Sequence, residues 1–359
     1  MKAVVKTAAE PGCVVWQEWT NPRPRAGQVV VEVLRAGICS TDVAIHDWTY
    51  RPREPVLVPS VLGHEGAGRV VEVTDGADGI QVGDRVALQV VWGHAHAPES
   101  LLGAENLDPR WYHLGASELG GAFAEQITID AGRVIRLPSS VSLEDGALLE
   151  PAAVAAHAME LVGLVPGESV CLIGPGPFGL IMTQIARSAG AARIVSVGLA
   201  GIDEARLAMA TSAGGADLQI VHRDDLIATA DAVCEMIGRE GADVVLDCGG
   251  TADSLPLALE LAAPGGRVAV FGFAPSAEIE PLRHVIRKGL RLAGVSAAAR
   301  RHYGVALRMI ATETIKPSAI VSHTLPMSAV TRGIELIKAR TATKVALVPD
   351  TDQQERFAG

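Results

Sequence analysis

Short β-branched runs separated by turn residues dominate the chain from Lys2 to about Leu149. Val29–Leu34, Gly68–Val73, Arg85–Val91 and Phe123–Ile129 have the length and composition of strands, so this part is predicted to be mainly β. Pro22-Arg23-Pro24 and Val82-Gly83-Asp84 mark turns between those strands. From about Pro151 the pattern becomes apolar strand, Gly-rich turn and Ala-rich helix, repeated several times, which is α/β winding. Beyond Ala293 it predicts a helix near Tyr303–Thr312 and a closing strand over Lys344–Val348. The stretch from Gln89 to Gly121 follows neither period.

A chain of 359 residues is long enough for two domains, each with its own core. The net charge of -10 argues against nucleic acid or an anionic membrane surface as partner. No apolar run approaches the roughly 20 residues of a membrane helix. Met1-Lys2-Ala3-Val4-Val5 reads as the start of a strand, not as a secretion signal. Five cysteines, at 13, 39, 171, 234 and 248, show no framework spacing. Reduced thiols and a cytoplasmic location are therefore expected.

Candidate chemistry centres on Val61–Val73, where His64 and Glu65 stand between glycines ahead of an apolar strand. Gly63, Gly66 and Gly68 let backbone approach closely there, so an imidazole and a carboxylate can face one small volume. Upstream, Gly37-Ile38-Cys39-Ser40-Thr41-Asp42 offers a thiol, and Leu149-Glu150-Pro151 offers a second carboxylate. Thiolate, imidazole and carboxylate are zinc ligand types, and three protein ligands with one open position make a catalytic site.

Gly-Ile-Cys-x-Thr-Asp at Gly37–Asp42, Gly-His-Glu-x-x-Gly-x-Val at Gly63–Val70 and Val82-Gly83-Asp84-Arg85-Val86 resemble the zinc-containing medium-chain dehydrogenases. Glu150-Pro151 and a dinucleotide fingerprint follow in the order of that family, so the resemblance covers nearly the whole chain. It implies an α/β protein with a mainly β, GroES-like catalytic domain over 1–151 and 293–359. A Rossmann-type, doubly wound parallel sheet domain over 152–292 would complete it. It implies hydride transfer between a secondary alcohol or polyol, or the ketone, and a nicotinamide cofactor in a cleft between the domains. Zinc would be held by Cys39, His64, Glu65 and Glu150, the two glutamates exchanging at the metal. Glutamate at position 150 resembles the polyol and threonine dehydrogenase branch. A zinc-free reductase of quinones or conjugated double bonds on the same fold is the alternative, and a non-catalytic relative is a third reading.

The resemblance also assigns Thr41 as acceptor of the substrate proton. Relatives continue that relay with a histidine five positions after the cysteine, where this chain has Ala44. His46 or water is expected to take over, and capping of the following helix is the plainer role for Thr41. Asp42 resembles a residue that orients the metal-bound histidine. Family members often carry a structural zinc on four cysteines in the segment that here lacks them. One zinc per chain is therefore expected, with His94, His96 and His113 as surface or hydrogen-bonded histidines. Trp92, Trp111 and Tyr112 either pack in place of that metal or reach toward the substrate.

Ser169–Leu180 contains Gly174-Pro175-Gly176-Pro177-Phe178-Gly179 after an apolar strand and before an Ala-rich helix, the setting in which a G-x-G-x-x-G pattern binds a dinucleotide. The strand Ala192–Val197 is followed by Gly198, where NAD enzymes carry an acid. Asp203 in the longer loop is the candidate for the ribose diol, and NAD is favoured with NADP possible. Cys248, as a packed thiol, and Phe271 and Gly272 resemble the strand ends flanking the nicotinamide. A homodimer or homotetramer is expected, joined through an edge strand over Leu290–Ser296.

Overall fold

The computed structural model describes residues 1–20, 23–50, 55–117, 120–222, 225–271 and 282–350, so the turn at Pro22 and the candidate Gly272 lie outside the described residues. The chain divides into two compact units. One is Met1–Ala153, Ala298–Ala311 and Val321–Gly359, and the other is Val154–Ala297 with Thr312–Ile320. The last segment falls within the span that sequence reasoning gives to the first domain.

The first unit is built on a seven-stranded sheet. Its order is Val134–Arg136, Arg85–Leu88, Glu65–Val73, Gln28–Ile38, Lys344–Val348, Val321–Pro326, with Gln126–Asp130 also on Gln28–Ile38. Pairing is antiparallel throughout except between the last two strands. Glu65–Val73 is buried over its first four residues and largely exposed beyond, so the polar Glu65 is carried into the interior. The C-terminal strand lies on the central one, with Ala346 opposite Gly37, while Gly37 also stands opposite Glu65. The tail thereby closes over the Cys39–Glu65 region.

The second unit holds six parallel strands in the order Leu218–His222, Arg193–Leu199, Ser169–Ile173, Ala242–Asp247, Ala262–Val270, Arg291–Gly294. Cys171, Val195, Val197, Val245 and Val268 are buried in one core, as the continuous apolar strands of a sheet covered on both faces require. The order reverses between Ser169–Ile173 and Ala242–Asp247, and such a switch point is where doubly wound sheets bind ligands. Among the described residues no helix is long and apolar enough to cross a membrane.

Candidate active site

Two hydrogen-bonding decisions set the metal-ligand candidates. Cys39 ends the strand Gln28–Ile38 and caps the helix Ser40–His46, and its amide donates to Asp42 Oδ2 at 2.8 Å. That bond locks the loop carrying the thiol. The other carboxylate oxygen of Asp42 faces His64 Nδ1 at 3.3 Å, without the alignment of a full hydrogen bond. A carboxylate there favours the proton on Nδ1, so Nε2 is the nitrogen that would give up its proton to a metal.

Donor atoms of Cys39, His64 and Glu65 all lie within 4.8 Å of one another, the one such group among the described residues. Burial alone would strip charge from His64, but Asp42 and Cys39 outweigh it and hold the imidazolium well above its ordinary pKa. A pocket of anions that retains a proton so strongly is also one that attracts a divalent cation, so the donor set and its field fit zinc.

Glu65 has a partner that local sequence reasoning missed. Lys344 Nζ donates to Glu65 Oε1 at 2.7 Å and to the carbonyl of Ile38 at 3.0 Å, and it lies 2.5 Å from Glu65 Oε2. Burial would pull this ammonium down, yet Glu65 and then Cys39 keep it above the ordinary lysine value. A β-carbon on Gly37 would stand 2.0 Å from Glu65 Oε2, so only glycine leaves room for the carboxylate beside Lys344. No motif announces Lys344, because the sheet register brings it there from the far end of the chain.

Glu150, at the start of the helix Leu149–Val162, lies outside the three-residue group. Burial raises its pKa to about 7, with His64 opposing and Glu65 adding to the shift. Thr41 sits inside the first turn of its helix, and Cys39 rather than Thr41 is the cap. His46 is not brought to the group. Its Nδ1 is 2.7 Å from Asp47 Oδ1, Asp47 pairs with Lys338, and five helical residues put His46 about 140° around the axis from Thr41.

The lobe from Trp92 to His113 is closed by a carboxylate that sequence reasoning also missed. Asp108, 1% exposed, accepts from the amides of His94 at 2.7 Å and Arg110 at 2.9 Å and contacts His94 Nδ1 at 3.2 Å. Trp92 stacks on the Arg133 guanidinium at 3.3 Å, Tyr112 tilts against His94, and His96 is exposed. His113 turns the other way, with its ring edge-on to His64 at 5.0 Å.

In the second unit, Gly174 ends the strand Ser169–Ile173 and Gly176 caps the helix Pro177–Ser188, so Pro177, Phe178 and Gly179 form its first turn. This arrangement aims free helix amides at the switch point, where a pyrophosphate fits. The Cys248 amide donates to the Ile173 carbonyl at 2.9 Å, and its thiol, raised well above its ordinary pKa by burial, packs 3.7 Å from the Met182 sulfur. Phe271 packs on Phe178 with centroids 4.6 Å apart. Gly198 lies within the strand, paired with Val221, two residues further on than the sequence pattern suggests. The strand continues because Asp203 Oδ2 accepts from the Leu199 amide at 3.0 Å. A β-carbon at Gly198 would meet the Asp203 β-carbon at 2.9 Å, so the loop acid fills the volume of the missing strand-end side chain. Its Oδ1 pairs with Arg206 at 3.2 Å, in the first turn of the helix Glu204–Ser212.

Known proteins resemble both parts of the chain. Residues 25–139 match the alcohol dehydrogenase GroES-like domain and residues 177–312 match the zinc-binding dehydrogenase domain. The L-threonine 3-dehydrogenase of Anaeromyxobacter dehalogenans is 32% identical over 97% of this chain and 98% of its own. The sorbitol dehydrogenase of Halalkalibacterium halodurans is 31% identical over 97% and 99%. The solved 2R,3R-butanediol dehydrogenase of Bacillus subtilis superposes with a TM-score of 0.86 at 26% identity, over 97% of this chain and 99% of that one. Across almost its whole length the chain follows such enzymes, and it belongs to the zinc-type medium-chain alcohol and polyol dehydrogenases, which transfer a hydride between an alcohol or ketone and a nicotinamide cofactor.

Proposed function

We propose that the chain oxidises secondary alcohols bearing further hydroxyls, or reduces the matching ketones, at one zinc held by Cys39, His64 and Glu65, with NAD as the preferred cofactor. The convergence of those three donors in a buried, anionic pocket carries the reading. Zinc and nicotinamide, when bound, supply Lewis acidity and the hydride acceptor. Asp42 fixes the His64 ring, Lys344 positions Glu65, and Glu150 is the carboxylate that alternates with Glu65. Thr41, two residues after Cys39, accepts the substrate hydroxyl proton and passes it to water, since His46 is engaged by Asp47.

Gly174, Gly176, Pro177, Phe178 and Gly179 would hold the pyrophosphate, with Cys248 and Phe271 flanking the nicotinamide. Asp203 would bind the ribose diol. The test is a panel of secondary alcohols and polyols scored for NAD and NADP reduction before and after treatment with a chelator. Chelator-sensitive NAD reduction supports the assignment, and full activity without metal removes it. We also propose a homo-oligomer joined through the sheet-edge strand Arg291–Gly294 in a reducing cytoplasm, which the five free thiols suit. Light scattering that finds a monomer at micromolar concentration ends the assembly proposal.

A further inference from the structure

His113 is held in one tautomer beside the candidate metal ligands, with one nitrogen unused. It lies on the short strand Tyr112–His113, opposite Val91, with the rings of His64, Trp111 and Tyr50 around it at 5.0, 5.7 and 6.4 Å. Nδ1 is 2.8 Å from the carbonyl of Leu114. A carbonyl only accepts, so Nδ1 carries the proton and Nε2 presents a lone pair. Nε2 has no hydrogen-bond partner among the described residues, although the ring keeps partial exposure. That acceptor is open to the hydroxyl of a ligand.

We propose that His113 is a specificity-determining residue whose Nε2 accepts a hydrogen bond from a hydroxyl on the carbon next to the one being oxidised. This rests on substrate oxidation at Cys39 and His64. The reacting oxygen is committed to the site beside His64, so the donor that reaches a ring one width away belongs to the neighbouring carbon. A vicinal diol has such a donor and a monoalcohol has none.

The test compares 2,3-butanediol with 2-butanol in wild-type holoenzyme, His113→Phe and His113→Gln, with zinc content and melting temperature checked for each. Wild type is expected to favour the diol in kcat/KM by about tenfold, the worth of one neutral hydrogen bond. His113→Phe should raise KM for the diol by about that factor, with little change in kcat, and leave 2-butanol nearly unaffected. Gln, which keeps an acceptor, should restore part of the loss. Equal losses on both alcohols, or none on the diol, overturn the proposal. A wild type that oxidises 2-butanol as well as the diol overturns it while leaving metal-dependent oxidation standing, and one that oxidises neither overturns both.

Discussion

Replacing Lys344 by Met isolates a deeply buried ion pair beside the site. Lys344 and Glu65 are 3% and 1% exposed, and the ammonium contacts both carboxylate oxygens. Methionine keeps the unbranched apolar stem, one atom shorter, but leaves Glu65 charged and without its cation. Removing one partner of a buried pair costs about 3–5 kcal/mol, whereas replacing both is far milder. For a unit of this size about 2–4 °C is lost per kcal/mol, so metal-free Lys344→Met should melt roughly 6–20 °C below wild type at neutral pH. Adding Glu65→Gln should recover most of that loss, and the double-mutant cycle gives the coupling directly. Zinc should raise the melting temperature of Lys344→Met more than that of wild type, because the metal becomes the missing cation for Glu65. Differential scanning fluorimetry on the four proteins, with and without zinc, measures all of this. A single variant melting within about 2 °C of wild type, or a double variant as unstable as the sum of the singles, would refute the reasoning.

Asp203→Ala should weaken NAD binding by about 1.5–3 kcal/mol, because a carboxylate oxygen that already accepts from Leu199 can take a second hydrogen bond from a ribose hydroxyl. It should strengthen NADP binding, since Arg206 loses its carboxylate partner. Titration with 5′-AMP and 2′,5′-ADP separates the two effects, and unaltered binding of both would restrict Asp203 to a structural part. Asp108→Asn should destabilise the Trp92–His113 lobe by about 1.5–3 kcal/mol at neutral pH, read by tryptophan fluorescence during urea unfolding. The Arg110 amide holds the Asp108 pKa below its ordinary value, so its contribution is present above about pH 4 and lost as the pH falls further. An undiminished difference between wild type and variant in that acid range would contradict the assignment.

The motifs that were legible in sequence are those whose parts sit a few residues apart. His64 and Glu65 are adjacent and Gly174–Gly179 is a single strand-to-helix turn, so local spacing described them, whereas Asp42 was placed beside His64 by the family resemblance. Lys344 was illegible because it meets Glu65 only through the register of two long-range strand pairings. His46 looked suited to a relay by proximity in sequence, yet helical geometry and Asp47 turn it aside. Gly198 was placed outside its strand because the bond that prolongs the strand, Leu199 to Asp203, comes from a loop side chain. His113 and Asp108 lie in a stretch without periodicity, where side-chain pairing and not hydrophobic pattern sets the conformation.

Zinc content per chain, measured by elemental analysis on purified wild type and on Cys39→Ala, bears most directly on the central claim. The proposed site draws one thiol, one imidazole and one carboxylate together, with His64 and Glu65 buried and Cys39 half-buried. About one zinc per wild-type chain is expected, falling to near zero in Cys39→Ala, while nucleotide binding, which uses the other unit, is unchanged. Zinc that survives at wild-type content in Cys39→Ala would contradict the account.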